Sequence, residues 1–382
     1  MLTGNGWVQI ARRYYWKAKS GGVYPADSIL GIDQHGVSPG AREVCCMLGM
    51  LHSFRSAAAN IKRLTGIALS AEFERRIVER EAEAVRIARD GGKLKAAFTV
   101  ADATTGSKAA PGPTRMYVGA DGVMAPMVGQ EEKDRRRAAH EARRKEREKS
   151  GVGNIKPLAL RRAGSDERYK EMKLGVFYDQ SKDHRHAFVT SGNHEALGLL
   201  VKAHAGMVGF NLAEETLSLT DGATWIRWQL YGNLLHLRLM LLDFYHLSQH
   251  VHDAAACCLG ETDAAKEWAG GRLEEFKTKG PAEPLAAIEA LGKMVRAKAK
   301  KESLRRLRNY ITERLEMLNY PKALALGMDI GSGPTEAMCK NLTLRLKRTG
   351  MKWDADHAAG MMSLVAMNES GQAPLYWHAK AA

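Results

Sequence analysis

Cysteine is scarce in this chain, and what there is falls in the wrong pattern for a covalent scaffold. The five thiols are Cys45, Cys46, Cys257, Cys258 and Cys339, two adjacent pairs and an odd one. That pattern excludes a disulfide framework. No C-x-x-C occurs, which argues against a thiolate zinc site. Long apolar runs are also missing: none reaches the roughly 18 to 20 residues that span a bilayer. Met1 to Trp16 lacks the apolar centre of a signal peptide, so a cytoplasmic setting is expected. Acidic charge is in deficit, with 43 Asp and Glu against 57 Lys and Arg, a formal net charge of +14. A surplus of that size points to a polyanionic partner. No strongly basic amphipathic helix with aromatic anchors suggests a membrane surface, so nucleic acid is the expected partner.

The chain is long enough for two or three domains. Residues 1–40 read as irregular, with strand-like pieces such as Trp7 to Ile10. Three helices follow: Ala41 to about His52, a second capped by Ser53, and a third capped by Ser70 that ends at Asp90-Gly91-Gly92. Helix, short glycine-containing turn, helix is the arithmetic of a helix-turn-helix, so 41–103 reads as a DNA-binding region. Arg75, Arg76 and Arg80 would then face DNA from the third helix. The plainer alternative is a helical hairpin laced by i,i+4 pairs such as Glu72 with Arg76. A linker is expected over Thr104 to Pro113. Beyond it come strands at Thr114–Asp121, Tyr169–Tyr178, His186–Thr190, Glu215–Asp221 and Leu234–Leu242, with a helix at His194–Ala205. Residues 130–150 form a dense charge run, either a solvated helix or a loop, and also a candidate phosphate-gripping arm. Ser248 to Leu318 reads as helical throughout. Residues 330–367 return to a Gly-rich turn and a long helix. Mixed strands with helices make the fold class α/β.

Within that pattern, acids recur at expected strand exits: Asp121 after "YVGA", Asp221 after "LSLT" and Asp243 after "LMLL". The carboxyl ends of strands are where α/β sheets hold ligands. Carboxylates there suit hard cations with oxygen ligands. Two such ions about 4 Å apart would clamp the attacking and leaving oxygens of a phosphodiester. The plain alternative stands beside it, because Asp121-Gly122 and Asp221-Gly222 also look like turn dipeptides. Farther along, Ile330-Gly-Ser-Gly-Pro-Thr-Glu336 is a helix start with an acid in its first turn. His246 and His250 have the i,i+4 spacing of a zinc chelate, with His252, Cys257 and Cys258 nearby. "HLSQH" lacks the general-base Glu of a zinc protease.

Four segments carry a family resemblance: "MYVGADGVMAPMV", "LSLTDGATWIRWQL", "LMLLDFYHLSQHV" and "IGSGPTEAMCKNLTLRLKRTGMKW". Together, over about residues 10 to 368, they resemble the bacterial insertion-sequence DDE transposases, specifically the Kra-type elements near the Mutator-like group. The resemblance implies an RNase H-like mixed sheet with flanking helices. The catalytic domain would be split into 109–247 and 327–368 by an all-helical insertion at 248–326, with a tail at 369–382. It implies Asp121 as the first catalytic acid on the first strand and Asp221 as the second on the fourth strand. Glu336 would be the third, on a helix about 115 residues farther on. Asp243 and His246 match the family's "DFYH" element, with Asp243 a possible further metal ligand and His246 a catalytic or structural histidine. Relatives often carry paired cysteines near the N-terminus; here Lys17 and Ser20 stand where such thiolates would be, a degenerate zinc-like element in 1–40. Tyr14, Tyr15 and Trp16 remain there to pack or to stack on DNA.

The implied activity is cleavage of transposon ends and their joining to target DNA, using two Mg2+ ions, or Mn2+ in their place. The implied partners are double-stranded terminal-repeat and target DNA and at least a second copy of the chain, in the bacterial nucleoid. From charge and position, phosphate contacts are assigned to Arg75, Arg76, Arg80, to the basic run that includes Arg135 and Arg136, and to Lys340, Arg345 and Lys347. The rivals are an RNase H-like nuclease that cuts without joining and a transposase-derived DNA-binding regulator.

Overall fold

In a computed structural model, the structure describes residues 1–18, 21–32, 36–107, 109–151, 158 and 163–381. Ser20 lies outside them. Five strands form the main path of a six-stranded central sheet: β1 (Ala110–Pro126), β2 (Tyr169–Asp179), β3 (Arg185–Thr190), β4 (Glu215–Thr220) and β5 (Leu239–Leu242). Their order is β3-β2-β1-β4-β5. β2 pairs antiparallel with both β1 and β3, whereas β4 pairs in parallel with β1 and β5 in parallel with β4. Consecutive residues of β1, Met116, Tyr117 and Val118, are all buried. A strand buried on both sides must be covered by other elements on both faces.

Of the fifteen α-helices among the described residues, the longer ones are α1 (Pro39–Leu51), α2 (Phe54–Thr65), α3 (Ala71–Asp90), α4 (Gln130–Lys149), α5 (His194–Val208), α6 (Thr224–Asn233), α7 (Phe244–Leu259), α8 (Asp263–Thr278), α9 (Ala282–Met294), α10 (Lys298–Thr312), α11 (Gly333–Leu344) and α12 (Ala355–Glu369). α5 packs on β2 and β3, α11 on β1 and β2, and α12 on β3. α7 to α10 pack mainly on one another.

Several expectations change. The stretch from Thr104 is not a linker: Thr104–Ser107 is a short strand antiparallel to the start of β1. The last sheet strand is shorter than Leu234–Leu242, because Leu235 and His236 turn the chain between the end of α6 at Asn233 and the strand, which starts at Leu239. The single long helix expected after residue 330 is two, α11 and α12. The Ser53 and Ser70 caps are present, accepting from Ser56 N and Phe73 N. α3 packs along α12, so residues 41–103 share a core with the end of the chain.

That shared core contains an uncompensated acid. Glu74 of α3 is fully buried and neither carboxylate oxygen has a hydrogen-bond partner. Burial pushes its pKa up to about 7. Since the folded value exceeds the unfolded one, stability falls as pH rises from about 4.5 through 7. The Glu74→Gln variant is therefore expected to gain about 2 kcal/mol over the wild type at pH 8, and little at pH 5. Denaturant midpoints at the two pH values measure this; a gain independent of pH contradicts it.

Candidate active site

The site begins with a register. β1 and β4 pair in parallel as Arg115 with Glu215, through to Val118 with Ser218. Carried three residues beyond the last pair, the same offset runs from Asp121 to Asp221, which lies just past the end of β4 at Thr220, and the charge of Asp221 acts on Asp121. The two positions are reached differently. Asp121 is not at a strand exit, since β1 continues to Pro126 and Asp121 pairs with Leu174 of β2. Asp121-Gly122 is therefore not a turn. Asp221 does leave the sheet in a turn: Gly222 has φ 73°, and the Asp221 Oδ1 accepts from Ala223 N at 2.9 Å. That is the local bond expected of an Asp in a turn.

α11 brings the third acid. Gly119 lies two residues before Asp121, hence on the same face of β1. A Cβ on Gly119 would sit 1.8 Å from Thr335 Oγ1 and 2.9 Å from Thr335 Cβ. The missing side chain lets α11 lie directly on the strand. One turn beyond Thr335, the Cys339 thiol donates to Asp121 Oδ2 at 3.2 Å, while Gly122 N donates to Oδ1 at 2.6 Å. Glu336 is three residues before Cys339, exposed at the rim and without an ion pair to Lys340. Burial raises the pKa of Asp121; the two hydrogen bonds oppose that, and the charge of Asp221 adds to it. The Cys339 thiol is pushed up by burial, then by Asp121 and Glu336. Asp121, Asp221, Glu336 and Cys339 thus share one electrostatic neighbourhood, and His246 acts on Asp121 in the same sense as a nearby cation.

Gly119→Ala touches none of these acids, yet it must push α11 off β1. Such a displacement is expected to lower any reaction that needs Asp121 and Glu336 together by about 100-fold. The fold should be retained, as judged by circular dichroism. Unchanged turnover in this variant would mean that the α11 contact does not set the site.

Asp243 has a structural role in this fold. It is fully buried, and both carboxylate oxygens are occupied by backbone donors. Oδ1 accepts from Tyr245 N at 2.6 Å and His246 N at 3.0 Å, capping α7. Oδ2 accepts from Ser332 N, in the turn that launches α11. Its own N–H donates to Thr220 O at 2.7 Å, one residue before Asp221. One buried residue therefore joins the elements that present Asp221, His246 and Glu336, through its backbone N–H to the first and its carboxylate to the other two.

The predicted phosphate contacts divide. Arg345 is 2% exposed, so it cannot reach DNA. Its Nε donates to Gly49 O at 2.9 Å, and its guanidinium lies over Phe54 and Trp353, fastening α1 to the segment after α11. Burial depresses its pKa to about 10. On α3, Arg75 pairs with Glu72 and Glu79, Arg76 pairs with Glu72 at 2.9 Å, and Arg80 Nε bonds to Arg76 O. The laced-hairpin alternative is the geometry observed. On α4, which buries no residue, Arg135 and Arg136 both pair with Glu132. Lys340 and Lys347 are exposed. The zinc alternative does not assemble: Cys258 is buried and Cys257 exposed. Tyr14, Tyr15 and Trp16 are exposed. The sequence reading did not single out Cys339 or Gly119, although both stand inside quoted segments, Cys339 at i+3 from Glu336 and Gly119 at i−2 from Asp121.

Oxygen donors on Asp121 and Asp221, with one like charge raising the other's pKa, suit a hard divalent cation. Among the described residues, no group of three His, Cys, Asp or Glu is drawn together tightly enough to hold an ion. Asp121 and Asp221 supply the carboxylate oxygens such an ion takes, and Glu336 is exposed on the first turn of α11.

No family model matches the sequence, and no curated protein matches it. Among solved structures, the chain is similar to the Drosophila P element transposase strand transfer complex, with a TM-score of 0.30 and 12% identity over 91% of this chain and 83% of that one. A likeness that distant carries no weight for function. No described helix is long and apolar enough to cross a membrane.

Proposed function

We propose that this chain is a DDE-type DNA transposase, a polynucleotidyl transferase whose catalytic acids are Asp121, Asp221 and Glu336. The reading is supported by the parallel β1–β4 pairing, which runs toward both aspartates, by the influence of Asp221 on Asp121, and by α11 seated on the face of β1 that carries Asp121. The sheet supports an RNase H-like reading, with three antiparallel strands followed by two parallel ones and acids on the first and after the fourth. The four quoted segments support the Kra-type resemblance.

Asp121 and Asp221 would hold magnesium or manganese, with Glu336 completing the set. The bound ions would neutralise the phosphate and activate water or a 3′-hydroxyl. The residues of the chain do the rest. Gly119 seats the Glu336 helix. Asp243 keeps α7 and α11 in step. His246, held in the first turn of α7, sits near enough to Asp121 to influence its charge and to meet a phosphate or a proton. Exposed Lys340 and Lys347 on or just after α11, with the solvated α4, would meet the DNA backbone. Because two ends must be joined, a dimer or larger assembly goes with this reading.

The test is strand transfer. Purified protein, Mg2+ and pre-cut DNA ends from the flanks of the gene are incubated with a target plasmid. Joined products are the expected result. Cutting without joining would replace the proposal with a nuclease. Sequence-specific binding without either reaction would replace it with a regulator.

A further inference from the structure

The helical segment between the second and third acids returns to the site. At the end of α10, Tyr310 directs its hydroxyl to the Asp221 carbonyl at 3.5 Å. Its ring meets the His250 ring of α7 at 3.9 Å and carries the Arg314 guanidinium at 4.2 Å. Arg314 lies against the turn that follows Asp221: a Cβ on Gly222 would sit 2.7 Å from Arg314 Nε and 2.8 Å from its Cδ. The turn thus needs glycine twice, for its positive φ and for this cation.

The guanidinium is 15% exposed and poorly compensated. Its Nη1 donates to Tyr310 O at 3.1 Å and reaches the exposed Glu313 carboxylate at only 3.4 Å. Its Nε is buried without a hydrogen-bond partner. A nearly buried cation with spare donors calls for an explanation. A planar guanidinium fork that keeps 15% of its side chain exposed matches a phosphate.

We propose that Arg314, held flat on Tyr310, contacts the DNA phosphate that lies alongside Asp221, so that the helical segment supplies part of the catalytic site. This rests on the polynucleotidyl-transfer reading. Arg314 adds a fixed positive charge where two aspartates would otherwise repel the substrate, and Tyr310 is its positioning residue.

The experiment uses the full chain, with nicking of a supercoiled plasmid carrying the gene's flanking DNA in Mg2+. Binding of a short random duplex is measured alongside over a range of NaCl concentrations. Arg314→Gln is expected to lower the nicking rate about 100-fold. The slope of log Kd against log salt should shrink by about 1, the signature of one lost phosphate contact. Arg314→Lys should keep the slope and recover part of the rate. Tyr310→Leu, which takes the ring from under the guanidinium, should lower the rate and shrink the slope in the same direction as Arg314→Gln. A wild-type rate and slope in Arg314→Gln overturn the proposal. So does a loss of rate matched by a fall in Tm with an unchanged slope, which would mark a purely structural residue. If the wild type nicks nothing, the transferase reading fails, and the salt slope still decides whether Arg314 touches DNA.

Discussion

Asp221→Asn is expected to bind DNA as well as the wild type and to cleave it at least ~1000-fold more slowly. The substitution is nearly isosteric. Asn keeps a side-chain oxygen for the Ala223 N–H, so the turn after β4 should persist. What disappears is a negative charge beside Asp121. Asp121 should then ionise more readily, because the charge of Asp221 is one of the influences that raise its pKa. DNA affinity should hold or rise slightly, since one repulsive charge is gone. The comparison is a gel-shift titration next to a cleavage time course in Mg2+. Full cleavage by the variant would remove Asp221 from the catalytic set. Loss of both binding and cleavage would assign it to the fold.

Asp243→Ala should be the most destabilising substitution near the site. It strips the α7 cap, which costs about 1 to 2 kcal/mol. It also leaves the buried Ser332 N–H without its acceptor, at about 1 to 3 kcal/mol more. A total of about 3 to 4 kcal/mol follows, and with it loss of activity, because the α7 turn of His246 and the turn that launches the Glu336 helix lose their common anchor. Asp243→Asn should fall between, since one oxygen can still cap the helix while the amide meets a donor. Thermal or denaturant unfolding of both variants measures this. An Asp243→Ala protein that keeps its stability but no longer responds to divalent cations would place Asp243 in the ligand set.

Local rules made much of the chain readable. Ser53 and Ser70 lie ahead of helical patterns and cap them as expected. The Asp221-Gly222 dipeptide forms a turn because Gly222 takes a left-handed conformation. The same rule failed at Asp121-Gly122, where pairing with β2 on one side carries the strand through. Long-range pairing of that kind has no local signature. Charge was informative about α4, which is solvated along its length. It misled at Arg345, because the aromatic rings that bury it come from Phe54 and Trp353, far apart in the chain. Asp243 was visible as an acid after a strand, but its partner Ser332 is 89 residues away. The roles of Cys339 and Gly119 depend on how α11 meets β1, which spacing along the sequence does not encode.

The central claim is that Asp121 and Asp221 form a divalent-cation site, and Mn2+ binding tests it most directly. Calorimetric titration needs no knowledge of the DNA sequence. The wild type should bind Mn2+. Asp121→Asn and Asp221→Asn should each lose most of that binding, while Asp243→Asn keeps it. Equal Mn2+ binding by the wild type and Asp121→Asn would contradict the account.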